Sequence, residues 1–95
     1  MSEVIKMAQT INNNLERKLK EFVGKRVIII QDGFLKAKYH IYKFEYSIIH
    51  EILDIIDEES KNYVNINLNQ ISKIEINQKN IALYLDNDTI ICLNI

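Results

Sequence analysis

The chain has 95 residues, 47% of them apolar, and its 12 basic and 13 acidic side chains leave a formal charge of −1. That length carries one domain with one small core, for which homo-oligomerisation is a common remedy. The charge balance excludes broad, charge-driven binding of DNA and leaves room only for a local basic stripe. The single cysteine, Cys92, rules out an intramolecular disulfide and fits a reducing interior. No run approaches the roughly 18 apolar residues of a membrane span, and Met1 is followed by a polar start. A soluble, cytoplasmic protein with no membrane partner is expected.

Residues 2–23 predict a helix. Val4, Ala8, Ile11, Leu15, Leu19 and Phe22 recur every three or four positions and make one apolar stripe. Ser2 can cap its free amides, and Gly24 can take the left-handed conformation that ends it. Such a helix covers one face or open end of a sheet, or packs on another subunit. Asn12, Asn13 and Asn14 lower helix propensity midway.

Residues 25–77 read as a β core. Val27 to Ile30 are too short and too β-branched a run for a helix, and Asp32-Gly33 then gives a strong hairpin signal. Leu35, Ala37, Tyr39 and Ile41 alternate with Lys36, Lys38 and His40, after which Tyr42, Phe44, Tyr46 and Ile48 become the apolar set. That change of phase demands a bulge or sharp bend, of the kind that carries a strand from one sheet to another. Ser47 to Glu59 fits a helix capped by Ser47 or a strand buried on both faces; the many β-branched isoleucines favour the strand. Asp57 to Asn62 reads as a solvated turn. Val64, Ile66 and Leu68 alternate with Asn65, Asn67 and Asn69, and Ile74 and Ile76 continue a strand after the Gln70-Ile71-Ser72 corner. Residues 80–95 form a second hairpin around Asp86-Asn87-Asp88, and its last strand is expected to leave an exposed edge.

The order of these pieces resembles an Sm-like barrel over Leu15 to Ile76. Lys25 to Phe34 look like its first strand and turn, Leu35 to Phe44 like its bent second strand, and Asn69 to Ile74 like the last corner of the Hfq branch. An SH3-like barrel gives much the same pattern. The expected fold is therefore mostly β with an N-terminal helix: a small, strongly bent Sm-like (SH3-like) barrel plus a C-terminal hairpin. The resemblance implies a homo-oligomeric ring that binds single-stranded RNA, with Tyr63, Val64, Ile66 and Leu68 meeting Lys73, Ile74 and Ile76 of the next subunit. The Lys-His pair that contacts uridine-rich RNA in the Hfq branch is replaced here by Leu68 and Asn69, so uridine readout is not implied.

Catalysis has little support, because His40, His50 and Cys92 are scattered and no carboxylate shares a motif with them. Three such residues are too few for a structural zinc site, and no cofactor motif occurs. The candidate ligand face is Lys36, Lys38 and His40 with Tyr42, to which Asn69 and Gln70 add amide groups. Cations beside aromatic rings hold phosphates while stacking bases. The ordinary reading makes the lysines a solvated strand face and the asparagines the wet side of a strand. Two functions follow: an Sm-like module for RNA or a small or cyclic nucleotide, or a phage-type or regulatory inhibitor that binds a protein partner or sequesters its signal.

Overall fold

The computed structural model describes residues 13–95. The predicted helix is present over 13–22 (α1), and the expectations placed on Ser2, Val4, Ala8, Ile11 and Asn12 lie outside the described residues. Leu15, Leu19 and Phe22 form its apolar stripe and are fully buried. Gly24 ends it with φ +80°, as expected of a left-handed stop. The Gly24 N–H donates to the Phe44 carbonyl at 2.8 Å, so the helix end is fastened to the sheet it covers.

Eight strands follow among the described residues: β1 (Val27–Asp32), β2 (Ala37–Ile41), β3 (Phe44–Ile49), β4 (Ile52–Asp57), β5 (Tyr63–Asn67), β6 (Ile71–Ile76), β7 (Asn80–Leu85) and β8 (Ile90–Asn94). All pair antiparallel, in a five-stranded sheet ordered β2-β1-β8-β7-β6 and a three-stranded sheet ordered β3-β4-β5. The protein is thus mostly β with one N-terminal helix, and its two sheets do not close into a barrel.

The chain passes between the sheets at two corners. The first lies between Ile41 and Phe44, where the alternation changed phase, and both flanking residues are buried. Tyr42 and Lys43 occupy the corner itself and are exposed, so the apolar phase resumes at Phe44 and not at Tyr42. Tyr46 and Ile48 then pack on the core as predicted. The second corner is a 3-10 turn, Leu68–Gln70, capped by Asn67, whose side chain accepts the Asn69 N–H at 2.9 Å.

Three expectations are corrected. The last strand, β8, is not an exposed edge: it lies between β1 and β7, and the C-terminal hairpin occupies the centre of the five-stranded sheet. Ser47 to Glu59 is β structure but not one strand, because His50 and Glu51 turn the chain tightly between Ile49 and Ile52. Both turn residues have positive φ (52° and 64°), without the glycine or asparagine that usually signals such a turn. At Asp32-Gly33 the chain makes a longer loop instead of a two-residue turn, with Gln31 opposite Ala37. Gly33 has no positive φ; a Cβ there would stand 2.7 Å from Thr89 Oγ1. Close approach of β-turn backbone, not turn handedness, requires that glycine.

The inner faces of both sheets and α1 share one hydrophobic cluster. Phe22 meets Phe44 edge-on, with ring centroids 6.0 Å apart and planes at 75°. Contacts of this kind add about 0.5–1.5 kcal/mol to simple burial. The pair pins α1 over the first corner, which fixes the site described next.

Candidate functional site

Asp57 organises the first corner. It ends β4 in phase with buried Leu53 and Ile55, and it is itself fully buried. Its Oδ1 accepts the N–H groups of Lys43 and Glu59, each at 3.0 Å. Its Oδ2 accepts the Tyr42 N–H at 3.1 Å and the Ser60 hydroxyl at 2.7 Å. Burial alone would push this carboxyl upward, but the Ser60 hydroxyl and the three backbone donors hold it well below the usual carboxylate range. The ionised carboxylate therefore ties the β2–β3 corner to the β4–β5 turn. Backbone bonds reinforce the tie, Glu58 N–H to Lys43 O at 2.9 Å and Asp57 N–H to Asn62 O at 2.8 Å. The sequence reading placed Asp57 in a solvated turn; the missed signal is its place in the Leu53, Ile55, Asp57 alternation.

A cleft of about 620 Å³ opens beside this corner. Residues 38–42, from β2 into the corner, form one wall, and residues 61–64, from the β4–β5 turn into β5, form the other. Both walls include edge strands: among the described residues β2 is bonded only to β1, and β5 only to β4. Three tyrosines border the opening, Tyr39, Tyr42 and Tyr63, exposed by 39%, 50% and 67%. Lys38, His40 and Lys61 supply basic groups. The Arg26 guanidinium stands 5.3 Å from the Tyr42 ring centroid, a cation–π contact that holds the ring. Lys61 is 3.8 Å from Glu58, but both are exposed and the pair holds the ammonium weakly.

The structure brings Lys38, His40 and Tyr42 together in this cleft. Lys36 lies in the β1–β2 loop, 3.8 Å from Asp32 and outside the cleft walls. Asn69 and Gln70 sit at the second corner, beside the opposite end of β4, about 17 Å away by the rise of a six-residue strand. There the Asn69 amide donates to Glu51 at 2.6 Å, so it fastens the 3-10 turn to the His50-Glu51 turn. Tyr63, expected at a subunit seam, lines the cleft, and sequence reasoning missed Lys61 and Asn62 because they belong to a polar turn.

The remaining seam residues lie on two edge strands and, for Leu68, in the 3-10 turn that joins them. β5 carries Val64 and Ile66, and β6 carries Lys73, Ile74 and Ile76; among the described residues β6 is bonded only to β7. Ile66 and Leu68 bury their side chains in the core, so at any seam they offer backbone alone. His40 is in β2, His50 in the β3–β4 turn and Cys92 in β8. Burial first, then the charges of Asp32 and Glu75, push the Cys92 thiol above its ordinary range, which disfavours a nucleophilic thiolate. Among the described residues, no three His, Cys, Asp or Glu side chains gather as metal ligands, and no helix is long and apolar enough to cross a membrane.

No family model, curated protein or solved structure matches this chain.

Proposed function

We propose that this chain is a non-enzymatic binding module whose cleft accepts a nucleotide, either free or as a unit of single-stranded RNA. The observation that carries the reading is the convergence of three partly exposed tyrosines with Lys38, His40 and Lys61 around about 620 Å³. That volume lies in the range of small-molecule sites. Tyrosine faces stack bases, and the ammonium groups neutralise one or two phosphates, in keeping with a near-neutral chain. An Sm-like assembly is part of the same proposal. It is supported by the helix before β1, the bend between β2 and β3, and the edges of β5 and β6, which are unpaired among the described residues. The β7–β8 hairpin between β1 and β6 departs from that pattern.

The chain has five tyrosines and no tryptophan, and three of the five border the cleft, so tyrosine fluorescence is sensitive to its occupancy. Titration with nucleoside monophosphates, a cyclic dinucleotide and short oligonucleotides should quench it, more weakly at higher salt. Tyr63→Ala should weaken binding about 5- to 150-fold, from loss of a stacking contact of about 1–3 kcal/mol. Absence of quenching by every one of these ligands would sink the reading.

A second reading, docking on a protein partner, is favoured by the β1–β2 loop. Phe34 is 98% exposed at its tip with Leu35 beside it, an aromatic anchor of the kind that dominates protein interfaces. Phe34→Ala should leave nucleotide quenching intact and abolish a partner complex, which separates the two readings.

A further inference from the structure

The cleft continues onto the outer face of the three-stranded sheet. Leu53, Ile55 and Ile66 point into the core, so Asp54, Ile56, Tyr63 and Asn65, which alternate with them, point away from it. With Lys61 these four line a second pocket of about 250 Å³. Lys61 and Tyr63 line the cleft as well, so the two spaces meet at these residues. Small-molecule sites run to about 300–1,000 Å³, so the second pocket has room for part of a ligand and not for a whole one. Asp54 stands directly opposite Asn65, and Ile56 directly opposite Tyr63.

The Asn65 side chain donates from Nδ2 to Asp54 Oδ1, and this bond fixes the order of the polar atoms that the pair offers. A carboxylate only accepts, so the amide must turn its NH2 group toward it. That group keeps a second N–H, and the carboxylate keeps Oδ2 and a further lone pair on Oδ1. The order along the pair is donor, acceptor, acceptor. Among the common bases guanine alone has the matching Watson–Crick edge: O6 accepts, then N1–H and the 2-amino group donate. Adenine and cytosine each bring one amino donor beside a bare ring nitrogen, whose lone pair the carboxylate repels. Uracil flanks its single N–H with two carbonyls. Glu45 stands opposite Ile56 on the same outer face, so with Asp54 it keeps phosphate off the sheet. Lys61 is the one basic residue lining the pocket, and it sits where the pocket joins the cleft.

We propose that this pocket takes the Watson–Crick edge of a guanine base, and that cleft and pocket together bind a dinucleotide with guanine at this second position. Guanine selection here rests on the nucleotide reading of the cleft and narrows it to a two-base ligand. One nucleotide lies in the cleft, and the linking phosphate meets Lys61 where the two spaces join. The guanine ring lies against Ile56 and Tyr63. The Asp54–Asn65 row, two residues or about 7 Å further along the strands, reads its edge. An arginine side chain also offers paired N–H groups to a carboxylate. It has no acceptor for the Asn65 amide, however, and Lys61 repels its charge.

The test is equilibrium dialysis of the whole chain against the dinucleoside monophosphates GpU, UpG, ApU, UpA and UpU. GpU or UpG should bind about 5- to 150-fold more tightly than its adenine counterpart, the discrimination of one good bidentate contact. Hypoxanthine in place of guanine lacks the 2-amino group and should lose part of that preference. 7-Deazaguanine, altered only on the opposite edge, should keep it. Asp54→Asn should bring the guanine and adenine ligands to equal affinity, and Asn65→Ala should reduce the difference. Equal affinity of guanine and adenine ligands for the unaltered chain overturns the proposal while the cleft reading stands. So does a preference that survives Asp54→Asn, one that is lost with 7-deazaguanine, or displacement of the guanine ligand by arginine amide. Binding of none of the five overturns both. Circular dichroism of each variant shows that it has folded.

Discussion

Replacing Gly33 by alanine tests the closeness of the β1–β2 loop to the β7–β8 turn. The added Cβ would lie 2.7 Å from Thr89 Oγ1, 3.1 Å from Thr89 Cα and 3.2 Å from Thr89 Cβ. Two of those atoms cannot swing away, because one is backbone and the other is bonded to it. Forcing a methyl group into such a contact costs about 1–3 kcal/mol. For a domain of this size each kcal/mol moves the melting temperature by about 4–8 °C, so Gly33→Ala should lower it by about 4–24 °C. The added Thr89→Ala removes the nearest atom and leaves the other two, so only part of the loss should return. The pair should then show a coupling of about 0.5–1.5 kcal/mol, within the range for residues in contact. Gly24→Ala is the control: nothing lies within 4 Å of its Cβ, and φ +80° is its sole difficulty. Left-handed strain costs about 1–2 kcal/mol and should be additive with Thr89→Ala. Thermal unfolding followed by circular dichroism gives all of these values. Undiminished stability in Gly33→Ala, or additivity of Gly33→Ala with Thr89→Ala, would refute the steric argument.

Asp57 makes stability depend on pH in a defined direction. Its folded pKa is depressed, so the unfolded chain binds the extra proton first; the stabilisation is complete above the unfolded value of about 4 and is lost as pH falls through the folded one. The urea midpoint should therefore drop below about pH 4, while Asp57→Asn should be destabilised already at neutral pH and flatter across that window. Phe22→Ala should cost about 3–5 kcal/mol, since it opens a cavity and removes the edge-on contact with Phe44; a smaller loss on urea unfolding would show that α1 is not fastened as described. His50→Asn with Glu51→Gly supplies the residues that a turn with two positive φ values favours. The melting temperature should rise by about 4–8 °C, for a gain of about 1 kcal/mol; a fall would mean that the Glu51–Asn69 contact matters more than backbone strain.

Much of this fold is local and could be read directly. The Leu15, Leu19, Phe22 spacing specifies a helix face, Gly24 its stop, and the change of phase after Ile41 the corner where the chain leaves one sheet for the other. The cleft was legible in part. Lys38, His40 and Tyr42 lie within five residues of one another, so their grouping needs only one strand and its bend. Lys61, Asn62 and Tyr63 reach them from a distant turn, through bonds to Asp57 that no short-range pattern encodes. The same limit separated Asn69 and Gln70 from the site, because the length of β4 intervenes.

Alternation thus determined that the chain is mostly β, most of the residues that face inward and where the helix stops, because those properties depend on neighbours along the chain. Tertiary structure alone decided which strands are neighbours. It placed the C-terminal hairpin between β1 and β6, made Gly33 a point of contact with Thr89 and turned Asp57 into a buried anchor. Pairing across a sheet joins residues far apart in sequence, and its energy lies in hydrogen bonds and packing that form only when the whole core does.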